Sequence, residues 1–203
     1  MRSSPLPPYT QIVRAFPGAL AGDAAAAAAC IPAGGEVSAQ GEIGALCAAG
    51  EPVHIPARVY FAEPHALALA GLSDTQAGIL HCVYTRHHNG FVREKHVRWL
   101  FDMPQAWVPP FVLQLLGEYV LEIIALVAEN VAVLPPEPYQ KFIRENPVYI
   151  DLLKQRIVSY WNCYYRVQYP HFRAYAGFQA AERLGLWNQR ELRRLGRGAP
   201  FSG

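Results

Sequence analysis

Lysine is almost missing from this 203-residue chain: Lys95, Lys141 and Lys154 stand against fifteen arginines. With 16 acidic residues the net charge is only +2, too balanced by itself to argue for a polyanionic partner. Arginine's planar fork suits carboxylates and phosphates. The Arg-for-Lys skew and the Ala-rich stretch 24–29 are nevertheless explained first by a GC-rich genome. The four cysteines, Cys30, Cys47, Cys82 and Cys163, form no C-x-x-C, so the paired spacing of a zinc quartet is absent. A reducing, cytoplasmic setting follows, and Cys82 and Cys163, in apolar helical patterns, are expected to pack as small hydrophobes. No run of 18 apolar, charge-free residues occurs, which predicts no transmembrane helix. Residues 27–30 (Ala-Ala-Ala-Cys) resemble a processing site, but Arg14, Pro17, Gly18, Gly22 and Asp23 leave no apolar core for a signal peptide ahead of them. The chain also lacks G-x-G-x-x-G, a Walker loop, G-x-S-x-G and H-E-x-x-H. Metal: none is expected, and cofactors: none.

What is present is an apolar, globular composition, 52% hydrophobic and 17% charged. Such a composition excludes wholesale disorder. A chain of this length buries roughly 70% of its unfolded surface and folds without staples. The first 70 residues hold eight of the 17 prolines and seven of the 16 glycines. They read as an irregular N-terminal arm with short helices, packed on an all-α domain over 71–203. In the arm, short helices are expected at 12–16, at 23–30 with Asp23 as cap, and at 40–49. Residues 53–61 (VHIPARVYF) are β-branched and aromatic but interrupted by Pro56, which suits an edge strand or an extended packing segment.

From residue 73 the spacing is helical. Ser73-Asp74-Thr75-Gln76 matches a capping box, and Ala77, Leu80, Val83 and Tyr84 follow at helical spacing. Asn89-Gly90 predicts a left-handed stop, followed by a helix over 91–102. A long helix over 111–133 carries a wide apolar stripe from Phe111 through Val127, with Gln114, Glu118 and Glu122 recurring every four residues opposite it. Further helices are expected at 139–145, at 147–169 with Pro147 first, and at 175–195, broken near Gly185. The fold class is therefore mostly α: a helical bundle or short α-solenoid with an irregular Pro/Gly/Ala-rich arm.

The piece His88-Asn89-Gly90-Phe91-Val92-Arg93-Glu94, with Val97 and Leu100 following, resembles the turn and second helix of a HEAT-type helical repeat. It covers about one repeat, His88 to Leu100, and no period of 33–47 recurs elsewhere. The resemblance implies stacked helix pairs that bind a partner on a concave face, and it implies no chemistry.

The polar turn and helix start holding Arg86, His87, His88, Arg93, Glu94 and His96 is the densest cluster of ionisable groups. Histidines titrate near neutrality and paired arginines hold anions. The alternative is a solvated turn, and a metal pair would want His at i and i+4 rather than at adjacent positions. Glu118 and Glu122, four apart, would stack on one helix face and repel by roughly 0.2–0.5 kcal/mol. Pairing of Glu118 with an arginine such as Arg93 or Arg156 outweighs an acid–base role. The run 160–172 holds more aromatics than one helix face can bury. It reads as a thick core or as a stacking platform, with Arg166 and Arg173 reaching phosphates. Arg190, Arg193 and Arg194 give the C-terminal end a basic character.

These features predict a non-catalytic protein-binding helical module, of the adaptor or bacterial immunity type, whose partner is another protein. The contact residues are expected to be Arg86, His87, His88, Arg93, Trp107, Glu118 and Glu122. The alternative is a nucleic-acid-binding or base-processing helical-repeat protein using Arg166, Arg173, Arg190, Arg193 and Arg194.

Overall fold

A computed structural model describes residues 7–38 and 41–195. The protein is mostly α. In order, the described elements are α1 (Pro8–Val13), α2 (Ala21–Ala29), β1 (Leu46–Ala48), β2 (Glu51–Val53), α3 (Ala66–Leu69), α4 (Asp74–Tyr84), α5 (Gly90–Val97), α6 (Pro109–Leu116), α7 (Leu121–Asn130), α8 (Pro136–Glu145), α9 (Pro147–Tyr160), α10 (Ala176–Arg183) and α11 (Gln189–Leu195). All eight residues of α6 are buried, and α7, α8, α9 and α10 pack around it. No helix among the described residues is long and apolar enough to cross a membrane.

The N-terminal arm is woven into this core. Helix α2 lies on α4, tied by Gln76 Nε2 donating to Asp23 Oδ1 at 2.9 Å. Asp23 therefore serves as a tertiary acceptor inside the first turn of α2 and not as its cap. The capping box of α4 is present: Ser73 Oγ accepts from the Gln76 amide at 3.3 Å and Gln76 Oε1 from the Ser73 amide at 3.1 Å. The expected helix at 40–49 is instead the hairpin β1–β2; Gln40 itself lies outside the described residues. The pair Ala48↔Glu51 closes a two-residue turn, with Ala49 at φ 53° and Gly50 at φ 84°. Two left-handed residues match the right-handed twist of the strands. A non-glycine residue there is held against a penalty of roughly 1–2 kcal/mol. Ala49→Gly is accordingly expected to raise stability by about 0.5–1 kcal/mol, after the entropy cost of a glycine in the unfolded chain. Urea unfolding reads this, and an unchanged or lower midpoint contradicts it.

Asn89-Gly90 is not a left-handed stop. Asn89 Oδ1 accepts the Phe91 amide at 3.0 Å and so caps the start of α5. The largest departure is the long helix at 111–133, which is two helices, α6 and α7, separated by residues 117–120. Gly117 is the C-cap of α6, and α9 crosses so closely there that a Cβ would lie 2.6 Å from Leu153 Cδ1 and 3.3 Å from Arg156 Cβ. Val120 is extended, at φ −94° and ψ 102°, and opens α7. Glu118 and Glu122 consequently do not stack as an i, i+4 pair: Glu118 turns into the core and Glu122 stays exposed. Helix α9 gives way to a π-helical turn, Trp161–Tyr165, and Cys163 on that turn is exposed, not packed.

Candidate functional site

The residues at 53–61 run extended and cross between two neighbours. The Ser38 amide donates to Arg58 O at 2.9 Å on one side; on the other, the Val59 amide donates to Arg86 O and the His88 amide to Val59 O, both at 3.0 Å. This crossing brings Arg58, Arg86 and Arg93 onto one carboxylate. Glu118 Oε1 accepts from Arg58 Nη1 at 2.9 Å and from Arg86 Nη1 at 3.0 Å. Glu118 Oε2 lies 3.1 Å from Arg93 Nε, an ion-pair contact without an aligned hydrogen bond. Three guanidiniums face one carboxylate, and backbone carbonyls offset the surplus. Arg86 donates to Ala57 O at 2.8 Å, and Arg93 donates to His87 O at 2.7 Å and His88 O at 2.9 Å. Burial alone would push the Glu118 carboxyl up, but Arg86, Arg58 and Arg93 outweigh it and hold the group below the ordinary carboxylate range.

The expected contact residues are therefore mostly interior. Arg86 and Arg93 are 1% exposed, Glu118 3%, His87 5% and Trp107 6%. Buried side chains are not reached by a partner at the surface, so these five frame the fold; only His88 and Glu122 of the set are exposed. His87 has a fixed role. Its Nε2 donates to Phe61 O at 2.8 Å and its Nδ1 accepts from the Asn89 amide at 3.1 Å, which sets a neutral tautomer. Trp107 packs edge-on against Phe16, 5.6 Å between centroids. The arginines of the alternative reading, Arg166, Arg173, Arg190, Arg193 and Arg194, are all exposed.

A second network, beside the first, was not visible in the spacing of the sequence. Glu63 Oε1 accepts from Lys95 Nζ at 2.7 Å and from His96 Nε2 at 2.9 Å. His96 Nδ1 lies 2.8 Å from His81 Nδ1. A carboxylate only accepts, so His96 carries its proton on Nε2. Its Nδ1 then accepts from His81 Nδ1–H. Burial, helped by His96 and Lys95, pushes His81 down to about 4, so the His81 imidazole is neutral near pH 7. Burial raises Glu63, but Lys95 and His96 outweigh it and hold that carboxyl low. Among the described residues no three His, Cys, Asp or Glu side chains converge as a metal site.

This network supports an aromatic surface. The His81 ring stacks on Trp99 at 5.3 Å with an angle of 8°, and His96 stacks on Tyr84 at 4.8 Å. Trp99 remains 63% exposed and Phe91 82% exposed. Together with Glu94, Lys95 and Arg98 they line a shallow, open groove along α5. Arg98 pairs with Glu94 at 2.7 Å, so the groove carries polar groups but little net charge. Helical spacing groups Trp99 with Val92, His96 and Leu100 on one face, but in the structure Leu100 and His96 are buried while Trp99 stays largely exposed.

Comparison with known proteins offers no counterpart: no family model matches the chain, and neither a curated protein nor a solved structure matches it.

Proposed function

We propose that this protein is a non-catalytic, protein-binding helical module of the adaptor or immunity type, working in the cytoplasm, and that its partner docks on the outer face of α5. The observation that carries the reading is Trp99, a largely exposed indole fixed in place from behind by the Glu63–His96–His81 chain. Tryptophan and arginine are the side chains that most often anchor interfaces. An anchor already ordered in the free protein loses less entropy on binding. Phe91 extends the apolar patch, and Glu94, Lys95 and Arg98 supply a polar rim. The segment His88 to Leu100, which bears the patch, is the piece resembling the turn and second helix of a HEAT-type repeat, and that resemblance implies partner binding.

The test compares the parent with the double variant Phe91→Ser/Trp99→Ala as bait in quantitative affinity capture from the native host. A stoichiometric partner is expected with the parent and at least tenfold less of it with the variant, while the circular-dichroism spectrum is unchanged. Equal recovery with both baits, or no partner on the parent, overturns the reading.

A further inference from the structure

The C-terminal lobe, residues 151–195, differs from the rest of the molecule in charge. It holds eight lysines and arginines against three acidic residues, a surplus of five in a chain whose whole surplus is two. The remainder is therefore net negative. Within the lobe the acids are largely used up: Lys154 binds both Asp151, at 2.7 Å, and Glu191, at 2.8 Å. Among the described residues Arg166, Arg173, Arg190, Arg193 and Arg194 make no ion pair, and all five are exposed.

Flat rings border this charge. Tyr119 is 54% and Tyr164 64% exposed, and the Tyr160 ring lies between them, 6.3 Å from Tyr119 and 5.9 Å from Tyr164. The π-helical turn separates the next tyrosine from this row: Tyr165 turns inward and stacks on Tyr175 at 5.6 Å. Such turns interrupt regular helices and recur at functional sites. Arg166 follows Tyr164 by two positions in the chain. Arg166 sits over the Trp161 ring at 5.8 Å, Trp161 packs on Phe172 at 5.0 Å, and Arg173 donates to Leu192 O at 2.8 Å, beside Arg193 on α11.

We propose that this lobe binds single-stranded nucleic acid, with Tyr119, Tyr160 and Tyr164 stacking on bases and the unpaired arginines contacting phosphates. A single strand is the partner that presents both of the required features along one chain: repeated negative charge and accessible flat faces. Base–aromatic stacking is indifferent to sequence, and the arginine contacts make the affinity depend on salt. The surface shares no residue with the lining of the α5 groove, and the proposal stands or falls independently of partner docking there.

The experiment is fluorescence anisotropy with labelled single-stranded DNA and RNA of about 20 nucleotides, long enough to span a typical binding footprint. Binding is expected at about 50 mM salt, weakening by roughly 50-fold at about 200 mM if four phosphates are contacted. Arg190→Glu/Arg193→Glu/Arg194→Glu should weaken it at least about tenfold and flatten the salt dependence. Tyr164→Ala should weaken it about fivefold or more with the salt slope unchanged. Phe91→Ser/Trp99→Ala should leave it intact. No binding at the lower salt overturns the proposal. So does binding that ignores Tyr164→Ala, or binding to phosphatidylserine vesicles with none to either oligonucleotide.

Discussion

Glu118→Ala is expected to cost about 3–5 kcal/mol of folding stability, because removing one partner of a buried ion pair strands the other, and here it strands three. Arg86 and Arg93 are 1% exposed and cannot turn to water without opening the crossing at 53–61. For a chain of this length the loss corresponds to a fall of about 10 °C in Tm. Glu118→Gln keeps an acceptor at the same place and loses only the charge, so its expected cost is smaller, about 2 kcal/mol. Arg58→Met is smaller still, since 21% of the Arg58 side chain already meets solvent. Urea unfolding followed by circular dichroism ranks the three variants. An alanine variant within about 1 kcal/mol of the parent, the range of ordinary surface changes, would show that the carboxylate is not what holds the arginines together.

The second large effect is on acid stability. His81 in the folded protein lies at about 4, below its ordinary value of 6.5, and burial lowers His96 and His87 as well. As pH falls below 6.5 the unfolded chain takes up these protons first, so it binds more of them than the folded chain does. Stability must then fall with pH. For His81 the contribution is complete above about 6.5 and is gone below about 4. Its size is about 2 kcal/mol after discounting for partial exposure to solvent. Glu63 and Glu118, whose carboxyls are held low, lose their contributions only further down, below 4.5. Unfolding free energies measured from pH 7.5 to 4.5 should thus decline in the parent. In His81→Phe, which keeps a ring against Trp99 but cannot titrate, the decline should be smaller by about 2 kcal/mol. Identical pH profiles would sever the link between that imidazole and acid stability.

The helical course of the chain after residue 73 was legible because helices are written in local terms. The capping box of α4 spans four residues, and apolar spacing marked Leu80, Val83 and Tyr84 on the buried face of α4. The break between α6 and α7 was not legible. The apolar stripe on either side of Gly117 continues in phase, and nothing local says that another helix crosses there. The hairpin at 46–53 was misread for a related reason: Ala-rich sequence favours helix, but pairing and burial of Leu46, Ala48 and Val53 override that preference. Nor did the sequence distinguish a solvated turn from a buried one at Arg86 and His87. A polar residue on a helical pattern reads the same way whether water or three guanidiniums await it.

By itself, then, the sequence determined the fold class, the starts of α4 and α9, and the concentration of ionisable groups near residue 90, all consequences of preferences that act within a few residues. Only the tertiary structure decided what those groups meet. Glu118 finds Arg58 across 60 positions, and Glu63 finds His96 across 33. The surroundings of a charge are set by whatever packs over it, and contacts that distant leave no periodic trace along the chain.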